Sequence, residues 1–289
     1  MFNSVTQCFL RPSEHDQIIS YIFPFANSVV AGYALVINFI ALIGIWLVYK
    51  HTMKRTPKLL LSLFATNLLV VLAVASLSVY HFIDGFLQSW LFSAHILLIV
   101  FLVLWSSTNV CLVTVDRYLI VIHGTRYRLW KKYFHALVIA EFVTIACYSM
   151  FIYFSLKFMG CTVNFVNLSG VVVFITSNLV ASFIANILLT RYIRMNTSLA
   201  GRTRNMERGV ATTVTNMTIS DGICQVLLIA TTILYICSLT ISSRLSKYVN
   251  VLLFLLPILS LLRCGTVPMT YILRNKRILN TLCCKRIKL

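Results

Sequence analysis

A few residues of this chain are equipped for more than packing. Asp116-Arg117-Tyr118 sets an acid beside an arginine where a long apolar run meets basic sequence. Such a pair at a membrane boundary costs free energy unless it is held for a purpose. Asp221 and Arg263 each interrupt a strongly apolar stretch, where a lone charge is strongly unfavourable. Asn38, Asn67 and Ser106 place neutral hydrogen-bonding groups inside three further apolar runs. The chemistry open to this set is charge pairing and hydrogen bonding rather than bond making. The chain has no HExxH, no nucleophile with a histidine at helical spacing and no glycine-rich phosphate loop, so neither an enzyme nor a cofactor is expected. Its nine cysteines form no CxxC pair, which gives no reason to expect a metal.

The elements that must carry these groups follow from composition. At 59% hydrophobic and 11% charged residues, with a mean hydropathy of +0.88, 289 residues are too apolar for a soluble globular protein. Seven runs are long enough to cross a hydrocarbon layer of roughly 30 Å as helices: 27–49, 59–82, 91–115, 133–156, 170–189, 210–238 and 248–272. Lipid-facing backbone must satisfy its own polar groups, so the expected fold is an all-α seven-transmembrane helix bundle. No repeat, linker or low-complexity segment divides it. Residues 1–26 are expected as an extracellular tail, 27–272 as the membrane domain, and 273–289 as a cytoplasmic amphipathic helix and tail.

The net charge of +18 is distributed in a way that argues against nucleic acid as partner. With the amino terminus outside, the outer connections hold four basic residues, Arg11, Lys157, Arg244 and Lys247, against about twenty on the inner side. That asymmetry orients the chain in a lipid bilayer. No cationic region precedes an apolar stretch at the amino terminus, so no cleaved signal peptide is expected.

Register sharpens the reading of the polar groups. At about 1.5 Å rise per residue, Asn38, Asn67, Ser106, Asp221 and Arg263 all lie on the order of 13–20 Å from the cytoplasmic boundary. Groups at one depth, two of them chargeable, suggest a shared polar centre. The sixth and seventh helices are joined by a short loop and are therefore antiparallel neighbours, so an Asp221–Arg263 pair is expected. The alternatives are that one of them reaches a water-filled cavity, or that Asp221 is protonated.

Near the outer end of the third helix, His95 is a candidate ligand contact, with a structural hydrogen-bonded role as the blander reading. Cys8 and Cys161 lie on the outer side, where a disulfide between them is open to an oxidising exterior. Asn167-Leu168-Ser169 is a glycosylation sequon in the expected second outer loop. Beyond Tyr271, apolar Ile272, Leu273, Ile278, Leu279 and Leu282 alternate with basic residues, which suits a short helix on the inner leaflet. Cys283 and Cys284 at its end are candidate palmitoylation sites.

With these residues in view, the chain resembles a divergent rhodopsin-like G-protein-coupled receptor. The resemblance spans the whole topology, while its specific motifs are few. Asp116-Arg117-Tyr118 matches the motif that ends the third helix in that family. The resemblance implies that Arg117 is held in the resting state by Asp116 and by an acid at the inner end of helix six, here Glu207. Pro268-Met269-Thr270-Tyr271 is similar to the family's ending of helix seven, whose tyrosine moves on activation. Asn38 fits the asparagine of helix one, and Ser106 a serine beside the family's sodium pocket. Cys224-Gln225-Val226-Leu227 aligns with a Cys-Trp-x-Pro motif of helix six.

The departures are equally plain. Val267 replaces the asparagine before Pro268, Asn67 stands for the helix-two aspartate, and Gln225 and Leu227 replace the tryptophan and kink proline. Phe92 occupies the place of the cysteine that anchors the second outer loop. With Asn67 for aspartate and Arg263 nearby, no anionic sodium site is expected. Arg55-Thr56-Pro57 and Tyr271-Ile272-Leu273-Arg274-Asn275-Lys276 look like odorant receptors. Ile99, a candidate ligand contact, stands where amine receptors carry an aspartate, so an aminergic ligand is not expected.

What the resemblance implies is a plasma-membrane receptor that binds an extracellular ligand, small and odorant-like, and signals to a heterotrimeric G protein. A transporter using Asp221, Arg263 and Glu141 is one alternative, although no inverted repeat is visible. A non-signalling receptor-like partner or chaperone is the other.

Overall fold

Where no water is available to the backbone, a long apolar run closes its own hydrogen bonds as a helix, and each apolar run of this chain does so among the described residues. The computed structural model describes residues 16–49, 55–80, 90–123, 127–159, 161–195, 201–241 and 246–282. Within these ranges some side chains near helix ends, including those of Cys161, Asn167 and Glu207, lie outside the described residues. The helices are α1 Asp16–Tyr49, α2 Arg55–Tyr80, α3 Trp90–His123, α4 Tyr127–Met159, α5 Cys161–Met195, α6 Gly201–Ile241, α7 Ser246–Arg274 and the short α8 Lys276–Leu282. Seven of them are long and apolar enough to cross a membrane. The fold is an all-α seven-helix bundle, and the chain reads as a multi-pass membrane protein.

Most helices run further than their apolar stretches. The expected tail is helical from Asp16 onward, and α1 continues through Pro24. Asp116-Arg117-Tyr118 does not end α3, which continues to His123. Asn167 was expected in a loop but lies within α5. Ile272 and Leu273 belong to α7 rather than to the short helix after it. The reason is common to all four. Hydropathy marks the part of a helix suited to hydrocarbon, whereas backbone hydrogen bonding continues into polar sequence until a residue favours stopping.

The stop between α7 and α8 has such a residue. Asn275 Oδ1 accepts the backbone N–H of Ile278 at 3.4 Å, the N-cap arrangement in which a side-chain oxygen satisfies a free donor of the first turn. Its own N–H still reaches the Tyr271 carbonyl at 3.0 Å. Helix α8 thereby turns onto α1. Ile278 is fully buried and belongs to one apolar cluster with Ala41, Ile45, Phe64 and Tyr271. A Cβ on Gly44 would come within 2.7 Å of Ile278 Cγ2, so the absence of a side chain there admits α8. The short helix expected beyond Tyr271 is present as α8, and its apolar side packs on α1.

Helix α3 is the axis of the bundle, packing on α2, α4, α5 and α6. Helix α1 packs on α2 and α7, and α6 and α7 share a long contact. Helix α4 packs on α3 and α5 and turns Ile139, Phe151 and Phe154 outward. Large exposed apolar residues such as Trp46 on α1 and Ile184 on α5 repeat this pattern, as expected for helices that are apolar all round and face lipid. Between α1 and α7 the approach is close. A Cβ on Gly265 would lie 2.5 Å from the Tyr33 ring and 3.4 Å from Ala34 Cα. Small residues of this kind let helix backbones approach where no hydrophobic force between helices draws them together.

Candidate functional site

Four consecutive polar residues, Ser106-Ser107-Thr108-Asn109, occupy the middle of α3, and all four are buried. At 3.6 residues per turn they point in every direction around the axis, so a helix carrying them needs polar neighbours on all sides. Ser106 Oγ donates to Asn67 Oδ1 on α2 at 2.5 Å. Ser107 Oγ accepts from Gln225 Nε2 on α6 at 3.1 Å. Thr108 Oγ1 accepts from Asn178 Nδ2 on α5 at 3.1 Å. Asn109 Nδ2 donates to Thr66 Oγ1 on α2 at 3.4 Å. The bonds tie α3 to three neighbours within one turn.

From Ser107 the network continues into the charged pair. Gln225 Nε2 also donates to Asp221 Oδ2 at 2.5 Å, while Arg263 Nε donates to Asp221 Oδ1 at 2.6 Å. Both charged side chains are almost fully excluded from solvent, at 4% and 3% exposure. Removing two charges from water is costly, and their attraction compensates only when further hydrogen bonds satisfy what remains. Here each carboxylate oxygen has a donor. Arg263 Nη2 and Gln225 Oε1, by contrast, are buried with no hydrogen-bond partner among the described residues. The pair itself is the one expected from the antiparallel α6 and α7.

The last of the five expected groups answers a different need. Pro268 has no N–H, so the carbonyl four residues earlier, that of Cys264, loses its helical donor. Asn38 Nδ2 supplies a replacement at 2.8 Å while also donating to Ala34 O at 2.7 Å. Asn38 thus mends the α7 backbone beside the proline. The five residues are brought together as two direct contacts, Asn67–Ser106 and Asp221–Arg263, with Asn38 bonded next to Arg263. Sequence reasoning missed Ser107, Thr108, Asn109 and Asn178, and saw Gln225 without its bonds to Ser107 and Asp221. The uninterrupted polar run in an apolar helix was the signal that could have found the first three.

On the side of this layer away from Asp116 lies a cavity of about 130 Å³ between α3, α5, α6 and α7. Its wall is apolar, with Leu104, Ile175 and Leu228 among the lining residues and Thr232 and Ser260 as the hydroxyl groups. Ile99, a candidate ligand contact, is one of its walls. His95 is not among its walls. That ring packs toward α2, with Nε2 2.8 Å from the Ala73 carbonyl and 3.1 Å from Ser76 Oγ, the structural role for a histidine at that helix end.

On the opposite side of the layer, Asp116 is fully buried and accepts a hydrogen bond from the Tyr127 hydroxyl at 2.5 Å. This tie across the α3–α4 turn was not foreseen. Arg117 is half-buried. Tyr118 packs with Leu189 and Ile193 of α5. Pro268 is buried in α7, and the Tyr271 ring rests against Phe64 with centroids 5.6 Å apart. The Glu207 side chain, and with it the Arg117–Glu207 contact, lies outside the described residues. So do Cys8, the Cys161 and Asn167 side chains, Cys283 and Cys284. Glu141 is half-buried on α4, a helix without extensive packing on α6 or α7 among the described residues. No group of three or more His, Cys, Asp or Glu side chains suited to a metal occurs among the described residues. No protein-family model matches the chain, and no curated protein is similar to it.

Proposed function

We propose that the chain is a seven-helix receptor of the rhodopsin-like kind, receiving a small apolar ligand and signalling to a heterotrimeric G protein. The observation that carries this reading is the continuity of α3. One helix lines the cavity with Ile99 and Leu104, is bonded on three sides through Ser106 to Asn109, and bears Asp116-Arg117-Tyr118 beyond. Leu104 and Arg117 are about 20 Å apart along it at the helical rise. The basic asymmetry supports an amino terminus outside the plasma membrane and Arg117 on the cytoplasmic face.

In this reading the ligand acts by differential affinity. An occupant of the cavity touches α3, α5, α6 and α7 together, so it favours whichever packing of those helices fits it better. The polar layer below would be the bistable element, since its directional bonds are made or exchanged rather than stretched. The test is ligand-free G-protein activation in cells at matched surface expression. Basal signal is expected to fall in Arg117→Ala and to rise in Glu207→Ala. A signal that is flat in all three proteins, together with altered trafficking of another receptor, would replace this reading with the non-signalling partner.

A further inference from the structure

Helix α4 is the least buried of the seven membrane-length helices, yet it carries an acid in mid-span. Glu141 lies between Tyr133 and Ile152, the two ends of that span, about 12 Å from the first and about 16 Å from the second at the helical rise. It stands at the edge of the inward face that Phe134, Ile145, Ser149 and Ile152 bury, and is itself half-buried. Cys111 of α3 is close enough to feel both the Glu141 carboxylate and the Ser182 hydroxyl of α5. The acid is therefore on the side of α4 where these three helices meet.

Nothing among the described residues answers this charge. Glu141 makes no hydrogen bond and no ion pair there. The Thr144 hydroxyl, one turn on, donates to the Ala140 carbonyl at 2.8 Å. Helices α4 and α5 meet where Tyr148 lies against Gly170, and equal steps along the antiparallel pair bring Glu141 level with Ser177. That hydroxyl donates to the Phe174 carbonyl at 2.8 Å. The cation at mid-span among the described residues is Arg263, and Asp221 holds it inside the bundle.

A carboxylate left alone at this depth is expensive, and so is a lysine or arginine in mid-span on another helix. Bringing the two together relieves both, so the charge selects the partner as well as the place. A second copy of this chain fits poorly, because it would bring another carboxylate and, among the described residues, no exposed mid-span cation. The surface beside Glu141 suits a helix. Ala136, Ala140, Thr144 and Cys147 are exposed, and their spacing keeps them on one face. Side chains this small let a neighbouring backbone come close in lipid.

We propose that this face of α4 docks a transmembrane helix of another protein, one whose lysine or arginine lies at the depth of Glu141 and pairs with it. No residue of α4 lines the cavity, so this contact stands apart from the ligand site.

The test uses the purified full chain in lipid vesicles with a designed single-span probe, a leucine-alanine helix carrying a lysine at the level of Glu141. Energy transfer between labelled chain and labelled probe, followed as the lipid is increased, reads association. The lysine probe is expected to associate about tenfold more tightly than the same helix with leucine in that place, the worth of a strong interhelical polar contact. A probe with glutamate there should associate least. Glu141→Gln keeps the shape of the side chain and should bring the lysine probe to within about twofold of the leucine probe. Glu141→Lys should reverse the order, so that the glutamate probe associates most. Ala140→Phe, which leaves the acid in place, should weaken the lysine probe by holding the backbones apart. Lysine and leucine probes of equal affinity, or a lysine preference unchanged in Glu141→Gln, would overturn the proposal. So would energy transfer between copies of the chain that Glu141→Gln abolishes, because the acid would then serve a homodimer.

Discussion

The polar layer around Ser106 and the apolar cluster on its Asp116 side are built by largely the same helices, yet they meet different demands. In the cluster, Leu63, Phe64, Val113, Met217 and Val267 are fully buried and need only complementary shape. In the layer, Asn67, Ser106, Ser107, Asp221 and Arg263 are equally buried, but each needs a partner at a particular distance and direction. In lipid the hydrophobic effect does not draw one helix to another. Packing therefore decides how closely the helices come, and the polar bonds decide which rotation and depth each one adopts. Within the layer the charged pair differs again from the neutral bonds, because losing one partner strands a charge.

That contrast can be broken most forcefully at Asp221. Asp221→Leu should cost about 3–5 kcal/mol by leaving Arg263 buried and unpaired. It would be read as a lower unfolding temperature and less folded protein in detergent. Asp221→Leu combined with Arg263→Met should recover most of that loss. A single variant as stable as wild type would show that the charges are not confined.

Next comes the neutral mend at Pro268. Asn38→Leu should cost about 1–3 kcal/mol, because the Cys264 carbonyl loses its donor. In a Pro268→Ala background the main-chain N–H returns, and the same Asn38→Leu change should cost markedly less. A double-mutant cycle on unfolding free energy measures the difference. Additive losses would mean that Asn38 acts elsewhere.

The apolar cluster should be more forgiving of a change that keeps its chemistry. Phe64→Leu is expected to cost less than about 1.5 kcal/mol if neighbouring side chains repack, as judged by the same unfolding measurement. The smallest effect belongs to a single neutral bond of the layer. Ser107→Ala removes the acceptor for Gln225 and should cost about 0.6 kcal/mol, the average for interhelical hydrogen bonds in membrane bundles. A loss as large as that of Asp221→Leu would mean that the network, rather than the charge, is what the layer cannot lose.

The candidate site was legible in the sequence where chemistry and register sufficed. Asp221 and Arg263 stood out because ionisable groups are expensive in apolar runs, and a short connection made their helices neighbours. Asn67 and Ser106 were found by depth. Gln225 was noticed only for the residue it replaces in the family that the chain resembles, and its bond to Asp221 escaped notice. Tyr127 escaped as well, since its partner lies across a turn whose geometry hydropathy does not describe. His95 was read with both a ligand role and a structural one, and its contacts with Ala73 and Ser76 are structural.

The amino-acid sequence by itself determined that seven helices are long and apolar enough to span a membrane, that the polar groups share one depth along them, and that the basic residues concentrate in alternate connections. These follow from composition and helical rise, which act residue by residue along the chain. Only the tertiary structure decided which way each polar group faces. It made α3 the axis, sent Asn38 to the carbonyl that Pro268 deprives of its donor, and folded α8 onto Gly44. It also set the cavity one turn above Arg263 and Gln225. The physical reason is that hydropathy is a scalar, nearly saturated around helices apolar on every side, whereas a hydrogen bond has a direction that only the rotation of neighbouring helices can satisfy.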